Sequence, residues 1–332
     1  MRILIDAFGG DNAPLEIIKG AVLSKNELGV DIVLVGDENA VRRCAQENSV
    51  DISGIEIIHA PDRLAMDDPA SSILKEKSES SMAVAMKALA EGKADALVTA
   101  GNSGAVCVGA TMILKRIKGI KRPAFAPVIP NTNGFFMLAD AGANVECRPE
   151  MLKQFGVMGS IYMERVMGVK NPRVALANCG TEEHKGTALQ IEAYQLLKNS
   201  GLNFVGNIEG RDVPLDRCEV LVADGFTGNI ILKTYEGVAS EMMSKIKGVF
   251  SKSLKNKIAA AVVLKDMKLL KKTFDHNEYG GAAILGCAKP VFKAHGSAKE
   301  KTVRNAVALT KKYVEENVIG EITKVLENEK LN

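Results

Sequence analysis

The sequence predicts an α/β protein, with a mostly parallel sheet covered by helices on both faces and a helix pair protruding from it. Three observations carry that expectation. Short apolar runs of strand length recur along the chain, amphipathic stretches separate many of them, and five runs end in glycine-rich turns bearing Asp, Asn or Thr. Strands buried on both faces read as continuous apolar runs, and parallel neighbours need a crossover that is usually a helix.

The first run, Ile3–Ile5, leads into Gly9-Gly10-Asp11 and the helical stretch Leu15–Leu23. Ile32–Val35 and Ile55–Ile58 follow, with Val41–Gln46 helical between them. Ser80–Ala90 has helical period and precedes the strand Ala96–Val98, whose turn Gly101-Asn102-Ser103-Gly104 opens a helix-like Ala105–Leu114. Phe135–Leu138 runs into Asp140–Asn144 and the helical Lys153–Val166. Val174–Ala177, Asn203–Val205 and Val220–Val222 complete the strands, with Leu189–Lys198 as a helix among them. No repeat or Pro/Ser-rich linker divides the chain, so residues 1–332 read as one catalytic α/β domain. The carboxyl ends of parallel strands share an edge, so the five turns are expected to converge on one crevice. Backbone N–H groups and small amides suit such a crevice to an anion, phosphate above all.

One region breaks the rhythm. Across 230–276 no strand intervenes, and Ile231, Tyr235, Val238, Met242 and Val249, then Leu254, Ile258, Val262, Leu270 and Phe274, fall at helical spacing. Gly248 and Ser251–Ser253 offer the turn. Such an inserted hairpin cannot bury both apolar faces on a sheet already covered, which predicts a four-helix contact in a homodimer. Packing back on its own domain is the alternative. Lys245, Lys247, Lys252, Lys255, Lys257, Lys265, Lys268, Lys271 and Lys272 face the single acid Asp266 around the apolar Ile258–Leu264. That combination fits an anionic membrane surface, an acidic protein, or simply solvent.

Composition excludes several classes. The 332 residues carry a net charge of only +3, which argues against a nucleic-acid partner. Apolar content of 46% with 25% charged residues describes an ordinary globular protein. The six cysteines lie far apart with no CxxC spacing, so reduced buried thiols are expected rather than disulfides or a zinc site. Neither a signal-peptide pattern nor an apolar run of about 20 residues is present, so the expected location is cytoplasmic, at most lying on a membrane. GxGxxG does not follow the first strand, and neither GxxxxGK[ST] nor GxSxG occurs, which weighs against ordinary NAD chemistry, nucleotide hydrolysis and a serine hydrolase.

Within the turns, Asn102, Ser103 and Gly104 stand where a helix N-terminus can hold phosphate, or where a cap alone would justify them. Asp6, Asp140 and Asp224 end their strands as turn caps or as functional carboxylates. Asn178–Gly186 crowds Thr181, Glu182, His184 and Lys185 into one polar turn, and Thr227, Gly228 and Asn229 close the next. A lysine there can bind phosphate and offset charge on a reacting carbonyl. His295, between Lys293 and Ser297 in a glycine setting, can donate a proton near neutral pH.

These stretches occur together and in order: Asp6-Ala-Phe-Gly-Gly-Asp-Asn-Ala-Pro14, Ala100-Gly-Asn-Ser-Gly-Ala105, Lys118-Gly-Ile-Lys-Arg-Pro123, Asp140-Ala-Gly-Ala-Asn144, Gly180-Thr-Glu-Glu-His-Lys-Gly186, Asp224-Gly-Phe-Thr-Gly-Asn229, Tyr279-Gly-Gly-Ala282 and Lys293-Ala-His-Gly-Ser297. The chain closely resembles the PlsX family of bacterial phosphate acyltransferases from its first strand to the helix after Ser297. The resemblance implies a three-layer α/β/α sandwich similar to phosphotransacetylase and isocitrate/isopropylmalate dehydrogenase, in a dimer peripheral to the inner face of the cell membrane. It implies transfer of a long fatty acyl group from acyl carrier protein to inorganic phosphate, the acyl phosphate then serving a membrane glycerol-3-phosphate acyltransferase. No cofactor or metal is implied. Two departures stand out, since relatives commonly read DAMGGDHAP where Phe8 and Asn12 stand here.

Applied to these residues, the resemblance assigns Gly9, Gly10, Asp11, Asn102, Ser103 and Gly104 to a phosphate cradle, with Lys185 and Lys293 as cations and Thr181, Thr227 and Gly228 lining the site. Asn229 or Asn144 donates to the oxyanion, and His295 or Lys185 protonates the leaving thiolate. Cys179 is expected to pack rather than react. A decarboxylating dehydrogenase on the same fold and a non-catalytic membrane-docked scaffold are the rival readings.

Overall fold

The computed structural model describes residues 1–273 and 280–331. Its strands are β1 (Arg2–Asp6), β2 (Asp31–Gly36), β3 (Glu56–His59), β4 (Ala96–Thr99), β5 (Ala124–Pro130), β6 (Phe135–Ala139), β7 (Val174–Asn178), β8 (Phe204–Glu209), β9 (Val220–Val222), β10 (Ala282–Leu285) and β11 (Val291–Lys293). The helices are α1 (Leu15–Leu28), α2 (Glu38–Glu47), α3 (Ser81–Ala90), α4 (Ser103–Met112), α5 (Pro149–Arg165), α6 (Ala188–Lys198), α7 (Gly225–Ser251), α8 (Leu254–Thr273), α9 (Glu300–Glu315) and α10 (Val318–Leu331). All strands join one sheet in the order β3-β2-β1-β4-β11-β10-β5-β6-β9-β7-β8.

The sheet is the middle of three layers. On one face Ile3, Ile32, Val98 and Phe292 pack against apolar residues of α1, α5, α6, α9 and α10, including Ile18, Phe155, Leu197, Val307 and Ile322. On the other, Leu4, Val33 and Leu97 meet Met82 and Met86 of α3 and Val106 of α4, while Phe136, Leu138 and Leu221 meet Leu232 of α7. Side chains alternate along each strand, so neighbours such as Leu4 and Ile5 serve opposite faces. The α/β sandwich expected from the sequence is the observed fold.

The expected single edge of turns is corrected by strand direction. β1 runs parallel to β2 and β4, and β4 parallel to β11. β10 is antiparallel to both β11 and β5, and β5 is antiparallel to β6. β6, β9, β7 and β8 are again mutually parallel. The two parallel blocks therefore point opposite ways. Turns after β1, β4 and β11 lie at one edge of the sheet, and turns after β6, β9 and β7 at the other. The reversing strands β5 and β10 are short or proline-bearing (AFAPVIP and AAIL), with Pro127 in register with Ala282.

The expected helix pair is present. α7 and α8 are joined at Lys252–Ser253, close to the anticipated Ser251–Ser253 turn. Ile231 and Tyr235 pack on the domain, but Val238, Met242, Val249, Leu254, Ile258 and Val262 remain exposed, the last at 79%. Expectations at Phe274, His276 and Tyr279, and for the side chains of Lys268, Leu270, Lys271 and Lys272, lie outside the described residues. No helix among the described residues is long and apolar enough to cross a membrane.

Candidate active site

At the first edge the turns after β1, β4 and β11 are tied into one unit. Asp6 ends β1 buried, and Ser81 Oγ donates to its Oδ1 at 2.6 Å while Thr99 Oγ1 donates to its Oδ2 at 2.7 Å. The Phe8 N–H adds a bond at 3.3 Å. Burial pushes this carboxyl above its ordinary range, and the hydrogen bonds offset only part of that rise. Gly9 is required here, because a Cβ would lie 2.7 Å from both Asp6 Oδ2 and the Gly101 nitrogen. On Gly10, at φ +96°, a Cβ would lie 2.8 Å from the Gly296 oxygen. The Asp11 N–H donates to that oxygen at 2.8 Å, and Asn12 Nδ2 donates to Ser297 O at 3.0 Å and Ala298 O at 3.3 Å. Asn12 thus fastens the loop that carries His295, a role an amide fills without an imidazole.

Asn102 is a helix cap: its Oδ1 accepts from the Ala105 N–H at 3.0 Å, and its Nδ2 holds Met66 O and Asp68 O. Ser103 and Gly104 are exposed at the start of α4. In the β11 turn the Ser297 N–H donates to His295 Nδ1 at 3.2 Å, and Ser297 Oγ lies 2.8 Å from the same nitrogen. An accepting Nδ1 puts the proton of neutral His295 on Nε2.

At the second edge Asp140 ends β6 and collects five N–H bonds. They come from the backbone of Phe125, Gly142, Ala143 and Asn144 and from Asn144 Nδ2. Asn144 Nδ2 spends its other hydrogen on Pro123 O at 2.7 Å, so both amide hydrogens of Asn144 are committed inward. Asp224 caps α7, accepting from Thr227 N–H and Oγ1 at 2.8 Å each. Gly228 could hold no side chain, since its Cβ would stand 1.9 Å from Asp140 O. Asn229 follows, exposed, with its side chain beside Gly142. Thr181, Cys179 and Lys185 lie exposed on the turn after β7, against the expectation that Cys179 packs. That turn is held by Asn178 Nδ2 on Lys185 O and Asn207 Nδ2 on Glu182 O. β9 separates β7 from β6, so the β7 turn stands one strand away from the Asp140–Asn144 turn.

Lys293 links the edges. It alternates with Phe292 and so points, with Val291, to the sheet face that carries α4 and α7. It is only 6% exposed, and its Nζ donates to Ala294 O at 3.1 Å. Burial and then the nearby Lys233 lower its pKa to about 8, while Glu236 and Asp11 act in the opposite sense. Asn229, Lys233 and Glu236 share one side of α7 by their i, i+4, i+7 spacing, and Lys233 pairs with Glu236 at 2.8 Å. Across from them Cys107 of α4 feels both Asp140 and Lys293, its thiol pushed up to about 12 by burial. The space between α4 and α7 is therefore where the two edges meet. Among the described residues no group of three or more His, Cys, Asp or Glu could hold a metal ion.

Residues 1–321 match the model of a family described as "Fatty acid synthesis protein". The chain is 46% identical over 323 residues to the phosphate acyltransferase of Acetivibrio thermocellus, covering 97% of this chain and 95% of that one. The chain belongs to the phosphate acyltransferase family. As a family member it is an acyltransferase of fatty acid synthesis. In fold it is similar to a phosphotransacetylase from Streptococcus pyogenes, with TM-score 0.61 at 16% identity over 96% of this chain and 94% of that one. It is likewise similar to the EutD phosphotransacetylase from Staphylococcus aureus, with TM-score 0.59 at 19% identity over 94% and 93%.

In this phosphate acyltransferase family member, sequence reasoning missed Lys233, Glu236 and Cys107 as neighbours of Lys293. The first two carried a signal, because both lie at helical spacing from Asn229. Ser81 and Thr99, which hold Asp6, gave none, being ordinary polar residues distant in sequence.

Proposed function

We propose that the protein transfers a long fatty acyl group from acyl carrier protein to inorganic phosphate. Lys293 is the observation that supports this reading most. A buried ammonium between the β1 turn and α7 disfavours its own charge and gains most from an incoming anion. Phosphate binds it together with the N–H groups of Gly10, Ser103 and Gly104, the Asp11 N–H being already held by Gly296 O, and Lys233 turns from Glu236 to the same anion. A phosphate oxygen bonds to the thioester carbon, Asn229 Nδ2 donates to the oxyanion, and the carbon–sulfur bond breaks. The departing thiolate takes the proton of His295 Nε2 and the proton of hydrogenphosphate replaces it on that nitrogen, so the products are acyl phosphate and free carrier thiol and the imidazole ends neutral. Phosphate is itself the nucleophile, and Lys185 adds positive charge from the β7 turn.

The exposed apolar faces of α7 and α8 support pairing with a second copy, and the lysine-flanked Ile258–Leu264 supports contact with an anionic membrane. The groove of about 500 Å³ on the outer side of α7, lined by Val213, Ile230, Ile231, Val238 and Met242, suits the partner copy. Incubation with an acyl carrier protein thioester and labelled phosphate, without added metal, tests the reaction. Labelled acyl phosphate and carrier thiol are expected in equal amounts. Thiol release without phosphate incorporation would refute the reading.

A further inference from the structure

The chemistry above leaves one motif unused, Lys118-Gly-Ile-Lys-Arg-Pro123. In the fold it leads into β5 and forms one wall of a depression of about 560 Å³, lined among others by Arg116, Lys121, Arg122 and Arg148 with Glu146 and Glu150. None of these four cations closes an ion pair among the described residues, although two carboxylates line the same space. Four cations against two carboxylates leave an excess of positive charge, and an incoming anionic surface relieves the repulsion among them.

The wall is rigid. The Arg116 guanidinium donates to Lys121 O. The Lys121 N–H donates to Gln154 Oε1 at 2.8 Å, and Gln154 Nε2 returns a bond to Gly119 O at 2.9 Å. Arg116 also bridges to Cys287. A surface held this way loses little freedom on binding. It is also close to the chemistry, because Pro123 O accepts from Asn144 Nδ2 and the same turn sets Gly142 beside Asn229.

We propose that this pocket docks an acidic face of the protein that carries the acyl donor, which rests on the acyl-carrier reading above. The cations come from two separate segments and are exposed, so they match an extended acidic surface better than one enclosed anion. Lipid is the poorer occupant, since exposed Val145 is a single apolar side chain beside the pocket, whereas the apolar faces an interfacial contact needs lie on α7 and α8.

The test is the double charge reversal Lys121→Glu, Arg122→Glu. Its KM for carrier-borne thioester is expected to rise by about tenfold or more, its KM for phosphate to stay within about twofold, and the difference to shrink as salt is raised. Should the double variant fail to fold, Arg148→Glu reads the same quantities. An unchanged carrier KM, or an equal rise in both KM values, overturns the docking proposal. Loss of binding to anionic vesicles with an unchanged carrier KM would assign the pocket to lipid and overturn it too. Wild-type protein that makes no acyl phosphate defeats the reaction itself, whereas active wild type with unaffected variants defeats only the docking.

Discussion

Two strand ends are closed by buried aspartates, and they are built differently. Asp6 rests on two hydroxyls, which can donate to a carboxylate or rotate to accept from a carboxylic acid. Asp140 is surrounded by five N–H groups, which can only donate. The first edge offers groups that can serve either charge state of its aspartate, while the second offers donors only, against a burial that pushes both carboxyls up. Between them lies Lys293, whose own charge is held near balance. The donors on Asp140 shape the turn beside Asn229, and Lys293 is the cation of the proposed phosphate site.

Amide substitution at both carboxylates separates the two strand ends by the largest margin. Asp140→Asn turns an NH2 group toward N–H donors and leaves buried ones unsatisfied, so a loss of about 3–5 kcal/mol is expected in urea unfolding. Asp6→Asn, facing hydroxyls that can reorient, should cost about 1 kcal/mol. Equal losses would show that the two ends are not distinct.

Lys293→Met separates charge from packing. Phosphate saturation should be lost, with kcat/KM down by about 100-fold or more, since losing a charge-assisted partner costs about 3 kcal/mol. The same variant should be more stable than wild type at pH 7 without phosphate, again by about 3 kcal/mol. The sign follows from the lowered pKa. Between about pH 8 and the ordinary value of 10.5 the unfolded chain holds more protons at this lysine, so raising pH through that window stabilises the fold. Below it the buried charge is a standing cost. Wild-type KM for phosphate should correspondingly climb above about pH 8, and a flat profile in the Met variant would locate that limb at Lys293.

Smaller effects sharpen the contrast between buried and exposed cations. Lys185→Ala should lower kcat/KM by about fivefold, the scale of an exposed charge, and full activity would remove its assigned role. Cys179→Ser should stay within about twofold of wild type, as exposed substitutions do. Loss of activity there would point to a covalent intermediate.

Much of this was legible in the sequence. Strands such as Ile32–Val35 and Val174–Ala177 announced themselves as continuous apolar runs, and the hairpin by its helical period. β5, β10 and β11 were not legible. Pro127 and Pro130 argue against a strand, and β10 and β11 are short pieces set among glycines. Those are the strands that reverse the sheet, which is why the turns looked as though they shared one edge. Individual site residues were readable by type, Lys293 among them, but its burial was not, because the α7 side chains over it are far away in sequence. Asn102 and Asn144 were readable as amides, yet only the folded chain shows their hydrogens committed to structure.

α7 is a single helix of 27 residues, with Asn229 in its second turn and Ser251 at its far end. At 1.5 Å per residue, about 33 Å separates those two positions along a straight axis. The helix is therefore a spacer as well as a wall of the cleft. Asn229 stands a set height above the hairpin tip and above any surface that the tip meets. Inserting or deleting one full turn would move that height by about 5 Å while keeping the angular position of every side chain nearly the same.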